Sequence, residues 1–189
     1  MKNMNTTQHY NIRIHGFPGQ GAKSAADVLG IAALQEHKHS SSYTTPSVYD
    51  DEIVIGNVRI SNAAIIENDY IEDADCIIVL DEKLLTDKNT LQSTRKPLVI
   101  MNSEKKHRTG FGTKSVVMNV KKFTHEKIQK PLYYIPLLAA LVQETKIMEM
   151  NTLKQAILIK LGKEKSHWFG RNLELLDEVV KKQEKQKLH

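Results

Sequence analysis

Ile12-Arg13-Ile14-His15-Gly16-Phe17-Pro18-Gly19-Gln20-Gly21-Ala22-Lys23-Ser24-Ala25-Ala26 reads as a short strand, a glycine-rich turn and the start of a helix. The first turn of a helix carries backbone N–H groups with no intrahelical partner, and the helix dipole places positive charge there. Such a spot suits a phosphate or another anion. Glycine lets the backbone turn sharply or come close to a ligand. One reading is therefore a ligand loop at the edge of an α/β sheet. The other is a plain strand-to-helix turn whose glycines serve packing. Spacing does not decide between them. The dinucleotide fingerprint is G-x-G-x-x-G, whereas the order here is Gly16-x-x-Gly19-x-Gly21, with Pro18 inside it. About twenty residues on, where that fingerprint has an acid, the chain has His37-Lys38-His39-Ser40-Ser41-Ser42. The P-loop spacing fails too, because Lys23-Ser24 stands one residue too far from Gly21.

Size and composition bound the rest. A chain of 189 residues, 40% hydrophobic and 6% aromatic, is expected to form one aliphatic-cored domain. No run approaches the roughly 18 apolar residues of a membrane span. Met1 to Tyr10 is polar, without the apolar core of a signal peptide. A cytoplasmic home and no membrane partner are expected. Cys76 is the single cysteine and lies in an apolar strand pattern, so it reads as a buried thiol. One thiolate cannot hold an iron–sulfur cluster alone. His37 and His39 lack companion ligands and read as solvated, so no metal site is expected. No Ser/His/Asp or Cys/His grouping suggests a nucleophile, so no catalytic residue is assigned.

The net charge of +5 hides a segregation. Residues 47–92 hold eleven acids against three bases, a net of −8, and residues 95–130 hold ten bases against two acids, a net of +8. Two solvated faces explain this, as does a surface for an anionic ligand or a protein partner. Nucleic acid is disfavoured, since the basic stretch has no RNP-type aromatics, helix-turn-helix or zinc-finger spacing.

Along the chain, residues 10–15 form a strand, and Ala22, Ala25, Ala26, Leu29 and Ala33 form the small-residue stripe of a helix packed on a sheet. Residues 38–52 read as a long polar loop. Ile53-Val54-Ile55 and Val58-Arg59-Ile60 read as strands interrupted at Gly56-Asn57, either a hairpin or one bulged strand. Cys76–Leu80 and Leu98–Met101 read as buried parallel strands joined by a crossover helix over 82–93. Ser115–Val120 is a further strand. Helical stripes follow: Leu137, Leu138, Leu141 and Val142; then Leu153, Ala156, Ile157, Ile159 and Leu161, stopped at Gly162; then Leu173, Leu176, Val179 and Val180. The expected architecture is a three-layer α/β/α Rossmann-like domain with a mainly parallel sheet over about 10–122 and C-terminal helices over about 123–185. Ligands of such sheets bind beyond the carboxyl ends of the strands. The loop, Asp81 and Asn102-Ser103 lie at such ends, with Asp81 favoured as a helix N-cap.

Five segments, in order, resemble the gamma subunit or domain of the 2-oxoacid:ferredoxin oxidoreductases. They are Gly16-Phe17-Pro18-Gly19-Gln20-Gly21, against a family G-x-G-G-Q-G loop; Ser24 to Ala33; Val58-Arg59-Ile60-Ser61; Ala74 to Asp81; and Asn172-Leu173. The resemblance spans roughly residues 10–180. Two departures stand out: Pro18 replaces a family glycine, and Tyr49-Asp50-Asp51-Glu52-Ile53 stands near the place of an Arg-Gly-Gly-type segment. The resemblance implies a subunit of a complex that oxidatively decarboxylates a 2-oxoacid such as pyruvate with coenzyme A, giving acyl-CoA, carbon dioxide and reduced ferredoxin. It implies thiamine-diphosphate-binding and ferredoxin-like partner subunits, which carry the thiamine diphosphate and the iron–sulfur clusters, with ferredoxin met indirectly. This chain then has a structural and coenzyme A-gating role. Gly16, Phe17, Pro18, Gly19, Gln20, Gly21, Lys23 and Ser24 are the cofactor-binding candidates, aided by Lys105 and Lys106. A free-standing nucleotide- or phosphometabolite-binding module is the competing expectation, and an empty-looped scaffold the third.

Overall fold

The computed structural model describes residues 9–47, 52–66, 70–86, 93–105, 114–120, 132–161, 170, 174 and 176–178. The elements run β1 (Tyr10–Gly16), α1 (Ala22–Gln35), β2 (His39–Pro46), β3 (Val54–Ser61), β4 (Cys76–Val79), a 3-10 turn (Glu82–Thr86), β5 (Leu98–Asn102), β6 (Ser115–Met118), α2 (Tyr134–Thr145) and α3 (Met150–Leu161). They build one six-stranded sheet in the order β2-β3-β1-β4-β5-β6. The β1–β4, β4–β5 and β5–β6 pairs are parallel, and β3 runs antiparallel to both β1 and β2. Five strands therefore share one direction, and the α/β fold with a mainly parallel sheet is observed.

Alternation along each strand sorts side chains between two faces. Ile12, Ile14, Val58, Ile60, Cys76, Ile78 and Ile100 pack under α1, α2 and α3 in one apolar cluster. Ile55, Ile77, Val79, Val99 and Met101 face the other way, onto Ile53, Ile71, Ala74 and Leu84. Arg13, His15, Asn57 and Arg59 alternate onto that second face as well and are buried.

Two sequence readings are corrected. The polar stretch 39–46 is a strand, not a loop. Ser, Thr and Tyr form the pleated edge of a sheet without needing apolar alternation, because neither face of the strand is fully buried: Ser40 and Ser42 lie against α1 at Gly30, and on the other face Thr45 Oγ1 accepts from the Asn57 amide at 3.1 Å. Gly56-Asn57 interrupts nothing, because β3 pairs residue for residue with β1 on one side and β2 on the other, without hairpin or bulge. Gly56 is there because α1 crosses the strand: a Cβ at Gly56 would stand 2.5 Å from the Ala22 carbonyl oxygen.

Smaller differences follow from the same packing logic. The last predicted strand ends at Met118, two residues early, where Asn102 takes over by accepting the Val120 N–H at 3.0 Å. In α3, Leu153, Ala156 and Ile157 are buried, but Ile159 is 56% exposed, since it falls on the opposite side of the helix. Of the predicted crossover helix, residues 82–86 form the 3-10 turn, and 87–92 lie outside the described residues. Tyr49 to Asp51, Lys106, the start of the C-terminal helices at 123–131, Gly162, Asn172-Leu173 and Val179-Val180 also lie outside them. Leu176 is fully buried, as the stripe predicts.

Candidate functional site

α1 leaves β1 and lies over β3 and β2, while the connection after β4 leads the other way to β5. The carboxyl ends of β1 and β4 therefore flank the crevice where the chain changes direction, which is where open α/β sheets bind ligands. The glycine loop occupies one lip and Asp81 the other.

Each loop residue has a distinct position. Gly16 is buried, and a Cβ there would stand 2.8 Å from Leu80 Cδ1. Phe17 is half-buried against the second face. Pro18 and Gly19 form the exposed tip, with Gly19 at φ +84° in open space. Gly21 is the N-cap of α1 at φ +94°, and the Tyr134 ring lies where its Cβ would be, 2.7 Å away at Cδ1. Only glycine meets both demands there. Lys23 (exposed) and Ser24 (half-buried) stand in the first turn of α1. No side chain caps that turn. The Lys23 ammonium donates to Asp27 Oδ2 at 3.1 Å, and Lys160 donates to the same oxygen at 2.6 Å. Burial would raise the Asp27 pKa, but these lysine bonds outweigh it and hold the carboxyl below its usual range.

Gln20 turns inward. Its Oε1 accepts the Phe17 N–H at 2.9 Å, and its Nε2 donates to Asp81 Oδ2 at 2.9 Å. Asp81 in turn accepts the Lys83 N–H at 3.0 Å through Oδ1, and its carbonyl accepts the Leu84 N–H at 3.1 Å. Asp81 is thus the N-cap that the sequence favoured, and also the post to which the loop is tied. Asn102 clamps the neighbouring strand ends by donating to the Leu80 carbonyl at 3.1 Å. Ser103 Oγ donates to Glu82 Oε2 at 2.7 Å, and the Lys105 N–H donates back to Ser103 Oγ at 3.1 Å. The three predicted clusters do converge. Asp81, Asn102 and Ser103 meet beside Glu82 and Glu104, and the loop joins them through the Gln20–Asp81 bond, so these strand ends are acidic. Lys106 lies outside the described residues.

Gln20, a cofactor-binding candidate in the sequence, also braces the loop through its bonds to the Phe17 N–H and Asp81. The sequence reading missed Tyr134 as the wedge beneath Gly21, for nothing in the helical stripe of α2 marks that contact. It also left unremarked His15, which precedes the loop and is fully buried with neither ring nitrogen hydrogen-bonded. Burial, then the Arg13 charge, lowers its pKa to about 3. Cys76 is fully buried, and burial, then Asp75, pushes its thiol well up. Among the described residues no group of three or more His, Cys, Asp or Glu is arranged to hold a metal ion, and no helix is long and apolar enough to cross a membrane.

Known proteins share this fold. Pyruvate synthase subunit PorC of Thermotoga maritima is 29% identical over 167 residues, covering 82% of this chain and 84% of that one. The crystal structure of the same organism's pyruvate oxidoreductase subunit superimposes with a TM-score of 0.76 at 25% identity, over 92% of this chain and 96% of that one. The 2-oxoglutarate:ferredoxin oxidoreductase of Magnetococcus marinus has the fold within a longer chain (TM-score 0.70, 18% identity, 92% of this chain, 31% of that one). Residues 11–182 match the family described as pyruvate ferredoxin/flavodoxin oxidoreductase, and the chain belongs to that family as one of its gamma-type subunits.

Proposed function

We propose that this subunit serves a cytoplasmic complex that decarboxylates a 2-oxoacid, pyruvate foremost, to acyl-CoA and carbon dioxide, and that its glycine loop holds the phosphate-bearing part of coenzyme A. The observation that carries the ligand assignment is the uncapped first turn of α1 beside the exposed Pro18–Gly19 tip. Free N–H groups at a helix start suit a phosphate. Coenzyme A, when bound, supplies the thiol that accepts the acyl group. The chain's own residues would bind and orient it: backbone N–H groups of the first turn and Ser24 by hydrogen bonds, Lys23 and Lys105 by charge. Gln20 and Asp81 keep the loop in its binding shape, and Asp81's carboxylate is engaged by Gln20 and the Lys83 N–H rather than left facing a phosphate. In support, the Magnetococcus enzyme was crystallised with 2-oxoglutarate, coenzyme A and succinyl-CoA bound.

Redox chemistry is assigned to partner chains. A lone cysteine buried in the central strand β4 does not suit a cluster ligand. Thiamine diphosphate and iron–sulfur clusters then sit in thiamine-diphosphate-binding and ferredoxin-like subunits, and ferredoxin is met through the latter. A family match across most of the chain favours this reading over a free-standing phosphometabolite-binding module.

Coenzyme A titration of the intact complex tests the loop. Charge reversal at Lys23, Lys105 and Lys106 should raise the coenzyme A KM by about tenfold for each ammonium group withdrawn from the phosphates, with the 2-oxoacid KM unchanged. Lys23→Ala is the milder control, since a glutamate at 23 would also face Asp27. An unchanged coenzyme A KM in all variants refutes the assignment.

A further inference from the structure

β2 is the outer strand of the sheet. One of its flanks pairs with β3 through eight consecutive residue pairs, from His39↔Ser61 to Pro46↔Val54. Among the described residues nothing pairs with the other flank, which presents a row of backbone N–H and C=O groups. Native sheets protect such edges with charged side chains, interior prolines, bulges or very short strands. β2 uses none of these. It has eight residues, no Lys, Arg, Asp or Glu, an unbroken register, and proline only at its last position. The opposite edge differs in length: β6 has only four residues.

We propose that the outer edge of β2 pairs antiparallel with β2 of a second copy of this chain across a two-fold axis, joining two sheets into one. The side chains fit that partner. Ser40 to Ser42 and Thr44-Thr45 would face hydroxyl-bearing residues of the same kind, cross-strand pairs that are mildly favourable, and no charge would meet its like. Apart from His39 at its start and Pro46 at its end, the strand offers a charged partner nothing but backbone and hydroxyl groups. Symmetry favours the same choice. A β2-to-β2 contact is isologous and closes after two copies, whereas β2-to-β6 pairing would propagate without end.

The native cysteine background makes the test clean, because Cys76 is the single cysteine and fully buried. In the assembled complex, Ser42→Cys or Thr44→Cys, both at exposed positions, should be joined by a short bismaleimide into a homodimer of this chain, seen at twice its mass on a denaturing gel. Adding Thr44→Pro to Ser42→Cys removes a backbone donor from β2 and should abolish the cross-link while the other subunits still co-purify. Cross-linking to a different subunit, no cross-link, or a cross-link that survives the proline overturns the proposal.

Discussion

A methyl group on Gly56 would stand 2.5 Å from the Ala22 carbonyl oxygen, a backbone atom that cannot swing aside. Gly56→Ala should therefore lift α1 off β3 and cost about 1–3 kcal/mol in a denaturant titration. Gly19→Ala, at φ +84° in open space, should cost only its backbone strain, about 1 kcal/mol. His15 gives a pH signature. In the native protein its pKa is about 3, against 6.5 for an ordinary histidine. Between those values the unfolded chain binds a proton that the native state does not, so stability rises with pH and levels off above about 6.5. The slope from one such group is about 1.4 kcal/mol per pH unit. The lowered carboxyls of Asp27, Glu36 and Asp73 act in the same direction but below their ordinary values of 3.8 to 4.5. The window from about pH 5 to 6.5 therefore belongs to the histidine, and His15→Leu should flatten it. The residue types of the loop were legible in the sequence. Their roles were not, because a glutamine that binds a ligand and one that braces a turn look alike until its partner, sixty-one residues away, is in place.

Among elements, the setting of α1 decides the site. Its start is fixed by Tyr134 of α2 beneath Gly21, and its length is tied to α3 and the segment before it by Lys160–Asp27, by Glu36 accepting the Glu149 N–H at 2.6 Å, and by Lys38 donating to the Ile147 carbonyl at 2.5 Å. Tyr134 separates two contributions. Its hydroxyl is buried without a hydrogen-bond partner, and burial pushes its pKa up to about 12. Tyr134→Phe should thus be neutral or stabilising, whereas Tyr134→Ala should cost about 3–5 kcal/mol and loosen the loop, read as a lower melting temperature together with weaker coenzyme A binding. Asp27→Asn, on a partly exposed pair, should cost less than about 1 kcal/mol. The elements most legible in the sequence were those whose environment is uniform: the all-apolar runs of β4 and β5 and the alanine stripe of α1. β2 escaped because an edge strand of Ser and Thr has no buried alternation to announce it. β3 read as broken because the reason for Gly56 lies on another element.

At the scale of the whole molecule, the strand ends are acidic and the glycine loop is tied across the crevice by the Gln20–Asp81 bond, the frame on which the proposed coenzyme A role rests. A double-mutant cycle on Gln20→Ala and Asp81→Ala should return a coupling of about 1 kcal/mol in stability, and both single variants should weaken coenzyme A binding by the complex. The mainly parallel fold and the family were readable from ordered short motifs. The outer position of β2 was not, since it depends on a strand order that only the assembled sheet sets. The most direct test of the central claim is an anaerobic affinity purification of this chain from its native cell, with all partners quantified by mass spectrometry. Thiamine-diphosphate-binding and ferredoxin-like subunits should come with it in equal amounts, and the eluate should reduce ferredoxin when given a 2-oxoacid. Recovery of the chain alone at native expression and low salt would contradict the subunit role.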